Sequence, residues 1–188
     1  MQYNIQNHNM KQNTTTIMII MHVIAWVIFI GFCIKTGALI YSAFVSFVVN
    51  PVGASDLYLG LDLSYLFNYD KWYYGSLISL VIFISGLQAY IFYLLIKIFM
   101  KLNLVQPFSK EIAKLITNIS FTALQIAILH IITNGYIKWL VKREVIIPSL
   151  HDYLGGASEF LLLGGIIFVI AQIFNRGLEI QAENELTI

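Results

Sequence analysis

Few side chains in this sequence have the types that chemistry requires. His22, Cys33, His130 and Glu159 stand within or at the edge of long apolar runs. His22 and His130 are metal-ligating in type, but they fall on different runs at different depths, so no shared metal is expected. Cys33 is the one cysteine, which excludes an intramolecular disulfide and a thiolate-based cluster. It reads as a small apolar residue. Glu159, about one helical turn inside a run, is expected to snorkel or to pair with Lys138 or Lys142. No nucleophile elbow, H-E-x-x-H, phosphate loop or dinucleotide fingerprint occurs. The expectation is therefore a protein without catalytic residues, metal or cofactor.

Uncharged polar residues are more numerous. At about 100° per residue, Asn118, Thr122, Gln125 and Thr133 share one helix face, with His130 and Asn134 beside it. Ser79, Gly86, Tyr90, Tyr93 and Lys97 make a comparable stripe. Ser158, Gly165, Gln172 and Glu179 recur with the heptad spacing of a helix–helix seam. Polar side chains at membrane depth tend to face the bundle interior. Tyr90, Asn118, Thr122, Gln125, His130 and Gln172 are accordingly expected between helices, as packing contacts or as the lining of a polar path.

The elements that must position these residues follow from composition. The chain has 188 residues, 59% hydrophobic and 11% charged, with a formal charge of +1. Soluble domains carry about a quarter charged residues, so the composition argues against an ordinary water-soluble globule, and no clustered basic excess marks a nucleic-acid surface. Crossing a bilayer takes about 20 apolar residues. Runs 17–34, 76–96, 115–137 and 157–174 meet that need. The fold expected is an all-α membrane protein, a four-transmembrane-helix bundle in one domain (17–188) behind a mobile tail (1–16). The bilayer is its first partner, and self-association is a further expectation, without a motif to locate the contact.

Orientation is less well specified. Lys11, Lys97, Lys101, Lys110, Lys114 and Arg176 lie on one side; Lys35, Lys71, Lys138, Lys142 and Arg143 lie on the other. The lysines of 97–114 favour that side as cytoplasmic, placing both termini inside. The outer loop, 35–75, contains an apolar stretch at 38–49 that either prolongs the first helix or lies along the membrane. Leu57, Leu59, Leu61 and Leu63 alternate with polar or small residues, a strand-like period. Pairing with 143–148 would make a small outer β element carrying Asp56, Asp62 and Asp70 opposite Lys142 and Arg143. Tyr65, Phe67, Tyr69, Trp72, Tyr73 and Tyr74 read as an interfacial aromatic belt or as an outward aromatic pocket.

Two cytoplasmic segments are more specified than packing needs. In Gln106-Pro107-Phe108-Ser109-Lys110-Glu111, Ser109 is an expected N-cap and Glu111 suits the first turn. The run 173–188 prolongs the last span as a cytoplasmic helix and tail (175–188), with Arg176, Glu179 and Glu183 on one stripe. Glu185, Leu186 and Ile188 follow. An acidic helix end with an apolar tip reads as a docking element for a basic partner. Pro107-Phe108-Ser109, together with the ending I-F-x-R-G-x-x-[LI]-x-x-E-N-x-L-T-[IV], resembles the bacterial four-helix family known as domain-of-unknown-function family 2975. Gln106 stands where that family more often has Asn. The resemblance implies a bacterial inner-membrane protein with both termini inside, and genetic pairing with a small helix-turn-helix regulator. The leading expectation is a non-enzymatic regulatory protein that binds such a DNA-binding regulator through Pro107, Phe108, Ser109, Lys110, Arg176, Glu179, Glu183, Glu185, Leu186 and Ile188. A small transporter, channel or export/immunity-type protein is the alternative.

Overall fold

The computed structural model describes the backbone of residues 2–102 and 108–185, and side chains within 16–102 and 108–183. Along these the chain forms α1 (Gln2–Val48), a 3-10 turn (Pro51–Ala54), α2 (Ser64–Tyr69), α3 (Lys71–Lys101), α4 (Lys110–Val141), α5 (His151–Leu154) and α6 (Ala157–Glu185). Among the described residues four helices are long and apolar enough to cross a membrane: α1, α3, α4 and the stretch ending in α6. Each expected span falls inside one of them.

The helices run past the apolar stretches, and side-chain caps mark where α3 and α4 begin. The 31 residues of α3 rise about 46 Å, against a hydrocarbon core of about 30 Å. The Asp70 carboxylate accepts from the amides of Trp72 and Tyr73 and starts α3. Ser109 accepts from Ile112 N–H and starts α4, as the sequence predicts. At the other end, α1 begins at Gln2, so residues 2–16 continue the first helix where a separate tail is expected. The same helix absorbs 38–49, which settles that stretch as a prolongation of the first span.

The four long helices pack in chain order. α1 lies on α3, α3 on α4, and α4 on α6, while among the described residues the backbone of α1 closely approaches neither α4 nor α6. The bundle is thus an open layer with α3 and α4 in the middle. Ile34 and Phe44 on α1, and Leu162 and Ile166 on α6, face outward. In lipid such exposure carries no hydrophobic penalty, since the solvent is as apolar as the side chains.

The seam between α4 and α6 corrects the expected one. Phe160, Gly164, Ile167, Ala171 and Phe174 carry the contact. Ser158, Gly165, Gln172 and Glu179 are exposed instead. The true seam has the heptad spacing of the expected one but is displaced by one residue, about 100° around the helix. A Cβ on Gly164 would lie 2.8 Å from Leu124 Cγ, whereas one on Gly165 would meet nothing within 4 Å. Ser120 Oγ donates across this approach to the Gly164 carbonyl at 2.9 Å.

Among the described residues no strand forms, and the expected β element is replaced by turns. Leu59 and Gly60 have φ of 49° and 84°, left-handed values that break an extended run. Asp56 accepts from Gly60 N–H, Leu57 N–H donates to Leu61 O, and Leu63 N–H donates to Ala54 O. The turns bury Leu57, Leu61 and Leu63 and expel Leu59, which is 78% exposed. Residues 143–145 wind off the end of α4 by bonds to Leu140 and Val141, with Glu144 at φ 65°. The three aspartates accept backbone N–H bonds, and Arg143 stacks on Trp139 at 3.8 Å instead of meeting them. The aromatic run divides likewise: Phe67 and Tyr74 enter the core, while Tyr65, Tyr69 and Trp72 stay outside.

Candidate functional site

Two constellations stand apart in the layer. The first joins the segments singled out from the sequence. The Phe108 ring, just ahead of the Ser109 cap, packs against Phe174 with ring centroids 5.2 Å apart. It also covers Gly177, where a Cβ would come within 2.8 Å of the Phe108 ring carbons. The Phe108 ring occupies the place of a side chain at Gly177, so any larger residue there would displace it. Close by, Lys101 at the end of α3 pairs with Glu111 in the first turn of α4. Arg176 donates to Glu179 at 2.6 Å on α6. Lys110, Arg176, Glu179 and Glu183 are exposed, and Ser109 is engaged as the cap. Pro107, Leu186 and Ile188, together with the Glu185 side chain, lie outside the described residues.

The helix ends make this joint one face. His22 of α1 stacks on Phe99 near the end of α3, at 5.9 Å. The first turns of the apolar part of α1, the end of α3, the start of α4 and the last turns of α6 thus lie together.

The second constellation was not foreseen. Lys35 is 8% exposed and Gln88 4% exposed, although both belong to membrane-crossing helices. The Lys35 ammonium donates to the Tyr153 carbonyl and, at 3.4 Å, to Gln88 Oε1. Gln88 Nε2 donates to the Leu154 carbonyl at 2.6 Å. These carbonyls close the short α5, so a cation meets the negative end of a helical turn. Thr36 and Ser85 share a hydrogen bond at 2.9 Å one step along. His130 is 4% exposed and stacks on Phe160 at 5.6 Å; among the described residues its Nε2 has no hydrogen-bond partner. Glu159 bonds to Gly156 N–H at 3.1 Å and reaches His151 at 3.3 Å, so its partner is His151, not Lys138 or Lys142. The sequence signal for this cluster was a lone lysine inside an apolar helix, which by default marks a paired, specified position.

The remaining expected interior residues are not brought together. Tyr90, Gln125 and Gln172 are exposed on three different helices, and Asn118 is half-buried. Thr122 is buried, but its hydroxyl donates to the Asn118 carbonyl on its own helix, the back-bond usual for threonine in helices. His130 packs against α6 through its stack on Phe160.

A layer of helices long and apolar enough to cross a membrane, with an aromatic joint between the start of α4 and the last turns of α6, defines the class. Within that class the chain belongs to a family described as "Protein of unknown function (DUF2975)", whose model matches residues 62–188. The match takes in α2 to α6, including both halves of the Phe108–Gly177 joint. No curated protein and no solved structure matches the chain.

Proposed function

We propose that this chain is a non-enzymatic regulatory protein of the bacterial cytoplasmic membrane, and that the Phe108–Gly177 joint faces the cytoplasm and docks a small DNA-binding partner. The observation carrying this reading is the seating of Phe108 on Phe174 and Gly177. It ties two segments far apart in sequence into one fixed face, more than membrane crossing requires. Beyond the joint α6 continues to Glu185, presenting Glu179 and Glu183 as an acidic end. An acidic face suits a basic partner such as a helix-turn-helix regulator, with charge setting encounter rate and register. The alternative, a polar path for solutes, finds less support, because Tyr90, Gln125 and Gln172 lie on separate outward faces.

Pull-down from membranes tests the proposal with three forms: the intact chain, one lacking residues 183–188, and Gly177→Leu. Leucine at 177 would displace the Phe108 ring without removing any charged group. The intact chain is expected to recover a small DNA-binding protein, and both altered forms to recover at least about tenfold less, a loss of about 1.4 kcal/mol. Equal recovery by all three would defeat the docking role.

A further inference from the structure

A groove of about 590 Å³ runs between the C-terminal end of α1 and the first turns of α3, lined by Phe47, Lys71, Trp72, Gly75, Ser76 and Ser79. Its volume is in the range of small-ligand sites, about 300–1,000 Å³. We infer that this groove binds one anionic phospholipid, with Lys71 on the headgroup phosphate and an acyl chain along Phe47 and Gly75.

Polarity is graded along it. Phe47 forms the inner wall and is itself fixed by rings of the core, with Phe67 at 5.8 Å and Tyr74 at 5.3 Å. Gly75 lets that ring approach the α3 backbone, a Cβ there standing 3.3 Å from Phe47 Cζ. The hydroxyls of Ser76 and Ser79 donate to the carbonyls of Trp72 and Ser76, so the wall offers an acyl chain no unsatisfied donor. Charge is confined to the mouth. Lys71 sits over the Phe67 ring at 5.4 Å, and among the described residues no carboxylate lies within ion-pair distance of it. The neighbouring Asp70 carboxylate is engaged by two backbone amides. Trp72 is 85% exposed beside the mouth, the placement that indole rings take at headgroup level. A second copy paired two-fold through this groove would bring Lys71 against Lys71, which disfavours it as the occupant.

The test uses the full chain with Trp26→Phe and Trp139→Phe, which leaves Trp72 as its sole indole. It is reconstituted in phosphatidylcholine vesicles, and dibrominated phosphatidylglycerol or dibrominated phosphatidylcholine is titrated in while Trp72 fluorescence is read. Phosphatidylglycerol is expected to quench with an apparent affinity about fivefold higher, the contribution of one lysine near an anionic surface. Lys71→Gln should abolish that preference and Lys71→Arg should keep it. Ser79→Leu, which fills the groove and spares the charge, should weaken quenching by both lipids. Equal quenching by the two lipids, or a preference that survives Lys71→Gln, overturns the inference. So does quenching that falls as protein is concentrated in the vesicles, since a second copy would then occupy the groove.

Discussion

Gly164→Leu is expected to lower stability by about 3 kcal/mol, the upper part of the range for overpacking a tight contact, while Gly165→Leu next to it changes stability by less than about 0.5 kcal/mol. At Gly164 the new side chain would be driven into Leu124, whose backbone nitrogen is itself 3.1 Å from the Cβ position. α6 would have to move off α4, breaking the Ser120 bond to the Gly164 carbonyl. Interhelical bonds of that kind average about 0.6 kcal/mol in membranes, so steric exclusion is the larger effect. At Gly165 the new side chain would point into open space. Unfolding in mixed micelles, followed by circular dichroism, measures both variants. Equal costs would mean that the seam is misplaced.

The second large effect is at Lys35. Lys35→Met removes the donor to the Tyr153 carbonyl and to Gln88 Oε1, and each buried acceptor left unpaired costs about 1–3 kcal/mol. Part of this is offset because a buried ammonium, itself costly to desolvate, also disappears. A net loss of about 2 kcal/mol is expected, concentrated at α5. Hydrogen exchange reads it locally: the amides of Leu154 and Gly155, which close the α5 turn, should exchange at least about tenfold faster. Lys97→Met is the control. Lys97 lies over the Tyr93 ring at 4.5 Å, and its loss leaves α5 untouched. Unchanged exchange in Lys35→Met would show that other contacts hold the turn.

Hydropathy made the four spans legible, because only a helix of sufficient length satisfies its own backbone in lipid. The Ser109 cap was legible too, since capping is local chemistry. What failed depended on neighbours. Gly164 and Gly165 are adjacent and identical in type, and the choice between them rests with Leu124 on another helix. The rule that polar residues face inward does not describe Tyr90, Gln125 and Gln172, which are exposed on three helices. The leucine alternation at 57–63 was real, but left-handed backbone at Leu59 and Gly60 turned it into loops. Phe108 was singled out from sequence, and Gly177 stands within the ending motif; their contact was not legible, because a missing side chain gives no sign of the ring that fills its place. Lys35 was counted only as a loop charge, and the carbonyls that hold it carry no sequence signal at all.

The most direct measurement is photo-crosslinking in living cells, with a benzophenone side chain placed at Glu183, beyond the joint, and at Ser158, at the opposite end of α6. The account predicts that position 183 forms an adduct with a small cytoplasmic DNA-binding protein, that the adduct is lost in Gly177→Leu, and that position 158 forms none. An adduct at 183 with extracytoplasmic proteins, or one with the same regulator from both positions, would contradict it.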